Sequence, residues 1–382
     1  RKIMEEVTGK NLSWLFDDLI NSTKKLDYKI AFAHKNTDGS WDLGIKNTGK
    51  INGPIFVQGI KNKKLVGELN YSGFFGKQAL TFPSSEVDYF KIDFVEDMPE
   101  SNRKNNTIRT TGIFKKVEPM KLQFLGSLNN PTKTQLFWAP AVGWNNYNKW
   151  MFGAVLYNSL LPRKHFEFEL MPLYSYSTND LAGYGHLAYT FYPDGPVFQH
   201  IQFGFVGARY AQTNNPFYMN FNKIAPELAI EFKKKKSTGH FTNTLKYRNI
   251  TIIQDIDRQK FENNGVTHSR VSTTSNFNDL TYTLAKRDAI TPYSISINMQ
   301  QGENMCKAGL TAKYSYHFRK KNKGVDLRFF AGTFIGTNLT DGGPYRFRLS
   351  GQRGYQDYLY DHVYLGRTET NGLLANQFTE TD

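Results

Sequence analysis

What this chain has little of narrows its chemistry first. Its 382 residues contain a single cysteine, Cys306, which excludes an internal disulfide and any multi-cysteine metal site. Cys306 opens a strand-like segment and reads as a small packing residue. No apolar run approaches the roughly 18 residues that a spanning helix needs, and mean hydropathy is -0.54. A helical membrane protein is therefore excluded. A β-barrel is not, because only every second residue of its strands has to be apolar. None of the histidines (His34, His165, His186, His200, His240, His268, His317, His362) is followed by glutamate, so the H-E-x-x-H zinc helix of metallopeptidases is missing. RNP motifs, helix-turn-helix patterns and zinc-finger spacings are missing too, which argues against nucleic acid as a partner. Acidic residues are in deficit: 34 against 48 basic ones, a net charge of +14. A solvated basic surface and anionic headgroups both fit that balance. The runs Lys233 to Lys236 and Arg319 to Lys323 each follow a strand-like segment, a placement that suits loops or turns at a membrane rim.

What is abundant is aromatic and periodic. Aromatics make up 15% of the chain, with 30 Phe and 22 Tyr, an excess that girdles at two membrane interfaces would account for. In Phe166, Phe168, Leu170, Pro172, Tyr174 and Tyr176 every second residue is apolar or aromatic, while Glu167, Glu169 and Ser175 point the other way. A second clean case puts Ala308, Leu310, Ala312, Tyr314, Tyr316 and Phe318 on one face, with Thr311, Lys313, Ser315 and His317 opposite. The expectation is a transmembrane sheet with Phe166, Phe168, Leu170, Tyr174, Leu310, Tyr314, Tyr316 and Phe318 facing lipid. Glu167, Glu169, Lys313 and His317 then face a lumen. A soluble sandwich would instead bury the apolar face against a second sheet.

Taken in order, residues 1–25 read as the end of a helical domain, because Leu12, Leu15, Phe16, Leu19 and Ile20 recur at spacings of three and four. Asn11 or Ser13 is the candidate cap. Residues 26–112 read as six or seven short strands of a small immunoglobulin-like β-sandwich. Residues 113–382 read as an antiparallel outer-membrane β-barrel of about a dozen strands, including separate strands at 266–276 and 279–287. Within it, 339–382 breaks the alternation and is either a long extracellular loop or a segment folded into the lumen. The chain opens at Arg1 without a signal peptide, so earlier residues are expected to have been removed or left out. Further strands are expected beyond Asp382.

Candidate chemical sites are sparse. Gly183-Tyr184-Gly185-His186-Leu187-Ala188 has the form G-x-G-x-x-A, but it lies inside an alternating strand rather than at a turn opening a helix. Glycines there make room for a bulge or a neighbouring ring. Glu167 and Glu169 share a strand face and could work as an acid/base pair; a solvated wall, paired with Arg209 or Lys313, is the plainer reading. Asp357, Asp361 and His362 carry metal-binding side chains without a recognisable spacing. Arg346, Arg348, Arg353 and Arg367 could contact an anion such as a lipopolysaccharide phosphate, or bridge loops.

Several stretches resemble a known family. Gly9-Lys10-Asn11-Leu12-Ser13-Trp14-Leu15-Phe16-Asp17-Asp18-Leu19 is similar to the late catalytic-domain helix of aminopeptidase-N-like zinc metallopeptidases of Bacteroidota, of the form G-x-x-L-x-x-F-F-x-x-W. Leu15 and Leu19 stand where that form has aromatics. Asn102 to Arg109 resembles the family's exit from its β-sandwich. Thr134 to Trp144 and Gly354 to Arg367, with Asp357-Tyr358-Leu359-Tyr360-Asp361-His362, resemble its membrane barrel. The resemblance implies the C-terminal, non-catalytic part of such a protein: an anchor in the bacterial cell outer membrane for a surface or envelope peptidase-like domain. No catalytic or metal residue carries over to this chain, so no cofactor is expected in it and any zinc belongs to an upstream domain. Expected partners are outer-membrane lipid and lipopolysaccharide, with other envelope proteins if the barrel is instead a structural subunit of an assembly or secretion complex. A solute channel is the remaining alternative.

Overall fold

The structure, a computed structural model, describes all residues except 84–85, 114, 117–119, 127–129, 131, 146, 159–163, 214–215, 235–239, 263–264, 289, 319–322, 338–344, 348–356 and 362–382, and it omits the side chains of Glu262 and Thr337. The described fold is all-β apart from short helical pieces, and it divides into two units: Arg1–Gln123 with Leu128–Leu136, and Phe124–Ser127 with Phe137–Asp382.

The first unit holds β1 (Tyr28–Lys35), β2 (Trp41–Asn47), β3 (Ile55–Lys61), β4 (Lys64–Tyr71), β5 (Lys77–Phe82), β6 (Tyr89–Ile92) and β7 (Thr107–Arg109). They form two antiparallel sheets, ordered β1-β2-β5 and β4-β3-β6-β7. Alternation sends Tyr28, Ile30, Leu43 and Ile45 of one sheet, and Val57, Phe90, Ile92 and Ile108 of the other, into a single core. Phe90 sits at its centre, edge-on to Trp41 at 5.5 Å and to Phe82 at 5.1 Å, in the geometry that aromatic quadrupoles prefer. The Tyr28 hydroxyl donates to the Gly53 carbonyl at 2.9 Å, so its burial leaves no polar atom stranded.

The helical start differs from the expected single run over 3–25. A first helix, α1 (Lys2–Thr8), stops at Gly9, which takes φ 63° and returns its N–H to the Glu5 carbonyl. A wider π-type turn then spans Trp14–Ile20, with Trp14 and Leu19 packed against the sandwich core. Ser13 precedes it without a capping side-chain bond, while Asn11 Oδ1 accepts the Ser13 N–H at 2.8 Å.

A twelve-stranded sheet follows in chain order: β8 (Met120–Phe124), β9 (Thr134–Asn145), β10 (Lys149–Tyr157), β11 (Phe166–Ser175), β12 (Asp180–Phe191), β13 (Phe198–Thr213), β14 (Met219–Phe232), β15 (Phe241–Glu262), β16 (Gly265–Lys286), β17 (Tyr293–Gly302), β18 (Met305–His317) and β19 (Gly324–Thr337). Each neighbouring pair from β9 to β19 is antiparallel. Among the described residues no pairing joins β19 back to β8, so the sheet has two ends. The strands expected at 266–276 and 279–287 are one strand, β16, paired without a break along all 22 residues of β15. Asn276 and Asn278, which look like turn residues, bond instead to Thr251 and Asn249 across the pair. Beyond the Phe221–Gln254 pairing with β14, β15 and β16 run on as a two-stranded ribbon.

Candidate functional site

Register fixes which side chains share a face of this sheet. Starting from β11, Phe166, Phe168, Leu170 and Tyr174 stand opposite Tyr189, Leu187, Gly185 and Leu181 of β12. The same face continues through Phe203 and Phe205, Pro226 and Leu228, Tyr247, Leu280 and Tyr282, Ile297 and Met299. It reaches Leu310 and Tyr314, and then Leu327 and Phe329 of β19. Phe203, Ile297 and Phe329 remain 54%, 47% and 59% exposed. Tyr316 pairs with Val325 on this face, and Phe318 continues it just past β18. All eight residues expected to share one face therefore do.

The other face is polar. It carries Glu167 and Glu169 on β11, Lys313 and His317 on β18, and between them Tyr184, His186, Gln202, Lys223, Glu227, Lys246, Arg248, Asp279, Asn298 and Gln300. Glu167 accepts the Lys164 N–H at 3.1 Å. The suggested partnership with Arg209 fails on geometry, because Arg209 lies on the apolar side and binds Asp180 at 2.6 Å and Asn222 at 2.8 Å near a strand end. Lys313 registers with Ser294 and Arg328, remote from either glutamate. Gly183 needs no ligand to explain it: its φ is 142°, and a Cβ there would lie 2.1 Å from the Met171 carbonyl oxygen.

Across β13 to β17 this polar face holds a piece of the irregular C-terminal segment. Residues 357–361 form a turn in which Tyr360 N–H donates to the Asp357 carbonyl at 3.1 Å and Asp361 N–H to Asp357 Oδ1 at 2.9 Å. Leu359 is buried among Ala225, Ile250, Ile252, Phe277 and Met305. The Tyr360 ring lies 4.0 Å from that of Phe221, and its hydroxyl sits within hydrogen-bond reach of the Gln212 and Gln254 side-chain amides, at 2.6 and 2.9 Å. Tyr358 donates its hydroxyl to Gln300, and Lys307 reaches the Tyr345 carbonyl at 3.0 Å while lying over the Tyr358 ring.

The anchor is electrostatic. The Asp361 carboxylate bonds to Lys223 Nζ and to both terminal nitrogens of Arg248, at 2.8 and 3.0 Å. Arg248 Nε and Nη2 in turn grip Asp279 Oδ2 at 2.9 and 2.7 Å, and Asp279 Oδ1 accepts from Asn298 at 2.6 Å and Gln300 at 3.1 Å. Lys223 is 4% exposed at its side chain and Asp279 likewise 4%. Charges this deep persist only when paired and hydrogen-bonded. Beside them is a cavity of ≈ 260 Å³ lined by Tyr184, His186, Lys223, Glu227, Lys246 and Asp361, among others. Lys246 and Glu227 pair there at 2.8 Å.

These residues do not form a metal centre: no three His, Cys, Asp or Glu side chains converge among the described residues, and Asp361 is taken up by two cations. The described residues therefore give no fit for zinc. Of the arginines proposed for anion contact, Arg346 lies in the short described stretch 345–347, while Arg348, Arg353 and Arg367, and also His362, lie outside the described residues. Sequence reasoning missed Lys223, Arg248 and Asp279. The available signal was parity, since each lies on the period opposite the aromatic and aliphatic members of its strand, Ile224 and Leu228, Tyr247, and Leu280 and Tyr282. The chain matches no protein-family model, no curated protein and no solved structure.

Proposed function

We propose that the second unit is an outer-membrane β-barrel that anchors a surface or envelope peptidase-like protein and contributes no catalytic site of its own. One observation carries this reading: the apolar face persists, strand after strand, from β9 to β19, and large side chains on it stay exposed. Monomeric soluble proteins rarely leave a contiguous apolar surface of that extent open to water. Lipid is the solvent that suits it, with Phe166, Phe168, Leu170, Tyr174, Leu310, Tyr314, Tyr316 and Phe318 facing the hydrocarbon and headgroups. Glu167, Glu169, Lys313 and His317 then face the lumen. Every strand from β9 to β19 is long enough to cross, since a tilted crossing takes about 9 to 11 residues: β10, β11 and β17 have 9, 10 and 10, and the others are longer. In a barrel the two ends of the sheet pair with each other or through further strands.

The docked turn 357–361 favours anchoring over conduction, because it sets bulky, ion-paired side chains on the lumen face. The aminopeptidase-N-like ancestry, with a zinc site upstream, belongs to the same proposal and rests on the sequence resemblance. A second reading, a structural subunit of a larger outer-membrane assembly, draws support from the β15–β16 ribbon, which extends past the neighbouring strands with Phe261 78% exposed.

Membrane fractionation tests the proposal. The protein should stay with carbonate-washed envelopes, leave them only in detergent, and migrate as a compact band on unheated gels that slows on boiling. Recovery in the carbonate supernatant would overturn the anchor. Conductance in planar bilayers would move the assignment to a channel.

A further inference from the structure

We propose that the polar face of the second unit carries a preformed carboxylate-recognition site, which Asp361 occupies in cis and which takes an acidic peptide segment as its ligand. The sheet itself aims the guanidinium half of the site, while the Lys223 ammonium bonds to the turn, at the Tyr360 carbonyl and the Asp361 carboxylate. Arg248 is aimed from β15 by Asp279 of β16, and Asp279 is itself held by Asn298 and Gln300 of β17. That chain of bonds presents the terminal guanidinium nitrogens as a fork, the geometry that matches a carboxylate. Lys223 arrives from β14, almost wholly buried.

Charge counting shows that the sheet leaves one place for an anion. Lys223, Arg248, Lys246 and Lys307 supply four positive charges; Glu227 and Asp279, committed at 2.8 and 2.7 Å, and Glu169, opposite His186, supply three negative ones. The sheet alone is thus one positive charge in excess, and Asp361 neutralises it. Removing Asp361 takes away the carboxylate partner of Lys223, and a second anion placed there would restore the pairing. Specificity beyond charge comes from what surrounds the carboxylate. The Phe221 ring packs at a tilt against Tyr360, and the Gln212 and Gln254 amides flank its hydroxyl. An aromatic residue followed by an acidic one is therefore the preferred sequence. The adjoining cavity of ≈ 260 Å³ leaves room for a further side chain.

The test is chemical rescue. Asp361→Gly removes the internal carboxylate and should lower the thermal midpoint, in detergent or in buffer as solubility dictates. Sodium formate should restore most of the loss in a saturable way, whereas sodium chloride at equal ionic strength should not. Asp361→Asn, which keeps the shape, should show the same loss with weaker rescue, and it serves as the readable variant if the glycine substitution does not fold. In Asp361→Gly/Lys223→Met the formate-specific rise should vanish. In a variant with Tyr358, Leu359, Tyr360 and Asp361 all replaced by glycine, which vacates the positions these side chains fill, the acetylated peptide Tyr-Leu-Tyr-Asp-amide should bind at least tenfold more tightly than its Asn counterpart. Equal response to formate and chloride, or equal binding of the two peptides, would overturn the site. None of these readouts depends on the protein residing in a membrane, so failure of the anchor proposal would leave them interpretable.

Discussion

The two units use the same alternating grammar with opposite outcomes. In the sandwich, the apolar members of each strand turn inward and meet: Leu43, Val57 and Phe90 are fully buried against residues of the facing sheet. In the long sheet, the apolar members turn away from the docked turn and stay exposed, and the buried groups on the other face include Lys223, Asp279 and Lys307. A period of two therefore states only that a strand has two kinds of face. Which face is the interior is decided by what the sheet packs against.

The sharpest way to break the comparison is to truncate an aromatic in each unit. Phe90→Ala should cost about 3 to 5 kcal/mol, the usual range for a fully packed ring; Phe203→Ala should cost much less, since its ring contacts few protein atoms. Denaturant unfolding followed separately for each unit reads the difference, and equal losses would sink the contrast. Next comes the polar interior. Arg248→Leu leaves Asp279 without its cation and Asp361 with Lys223 alone, a loss of roughly 3 to 5 kcal/mol for a broken buried network, measurable as a lowered midpoint with the sandwich transition unmoved. On the apolar face of the second unit, Leu170→Arg should cost roughly 2 to 4 kcal/mol if it lies near a bilayer midplane, while Glu169→Gln on the other face should fall within about 0.5 kcal/mol. Equal tolerance of both would invert the facing.

The smallest effect is pH-dependent and confined to the sandwich. Burial raises the Glu100 carboxyl from 4.5 to about 7, against the opposing hydrogen bond from Asn106, with nearby Asp27 adding to the rise. A carboxyl that holds its proton more tightly when folded stabilises the fold at acid pH. That contribution is complete below about 4.5 and is lost as pH climbs towards 7, on the order of 2 to 3 kcal/mol over the interval. Glu100→Gln should flatten this slope in urea titrations at several pH values; an unchanged slope would remove Glu100 as its source.

Much of the architecture was legible in the sequence. Strand positions in the long sheet follow period two closely enough that the strands alternation predicts at 293–301 and 324–337 match β17 and β19 within a residue, and the strand face that Glu167 or Tyr314 shares follows from parity alone. Where the reading failed, the reason was tertiary. Asn276 to Asp279 carries turn-like composition, yet these side chains bond across to β15 and to Arg248, so partners override propensity. The Arg209 assignment failed because attraction was inferred from charge without regard to parity. The docked turn was invisible as a contact: Asp361 stands 113 residues from Arg248 and 138 from Lys223, and no local pattern encodes a partner so distant.

That separation also sets an order of events. Closing a loop of more than a hundred residues onto a site made by β14 to β17 is favourable only once those strands have been laid side by side. Strands formed earlier have no carboxylate in their cationic notch, and a misregistered β15 would point Arg248 to the wrong face. In pulse-labelled refolding, the Asp361 amide should gain protection after those of β14 and β15; earlier protection would contradict the sequence of steps. Seating of the turn thus works as a completion check, reporting through one carboxylate shared by Lys223 and Arg248 that the preceding strands have found their register.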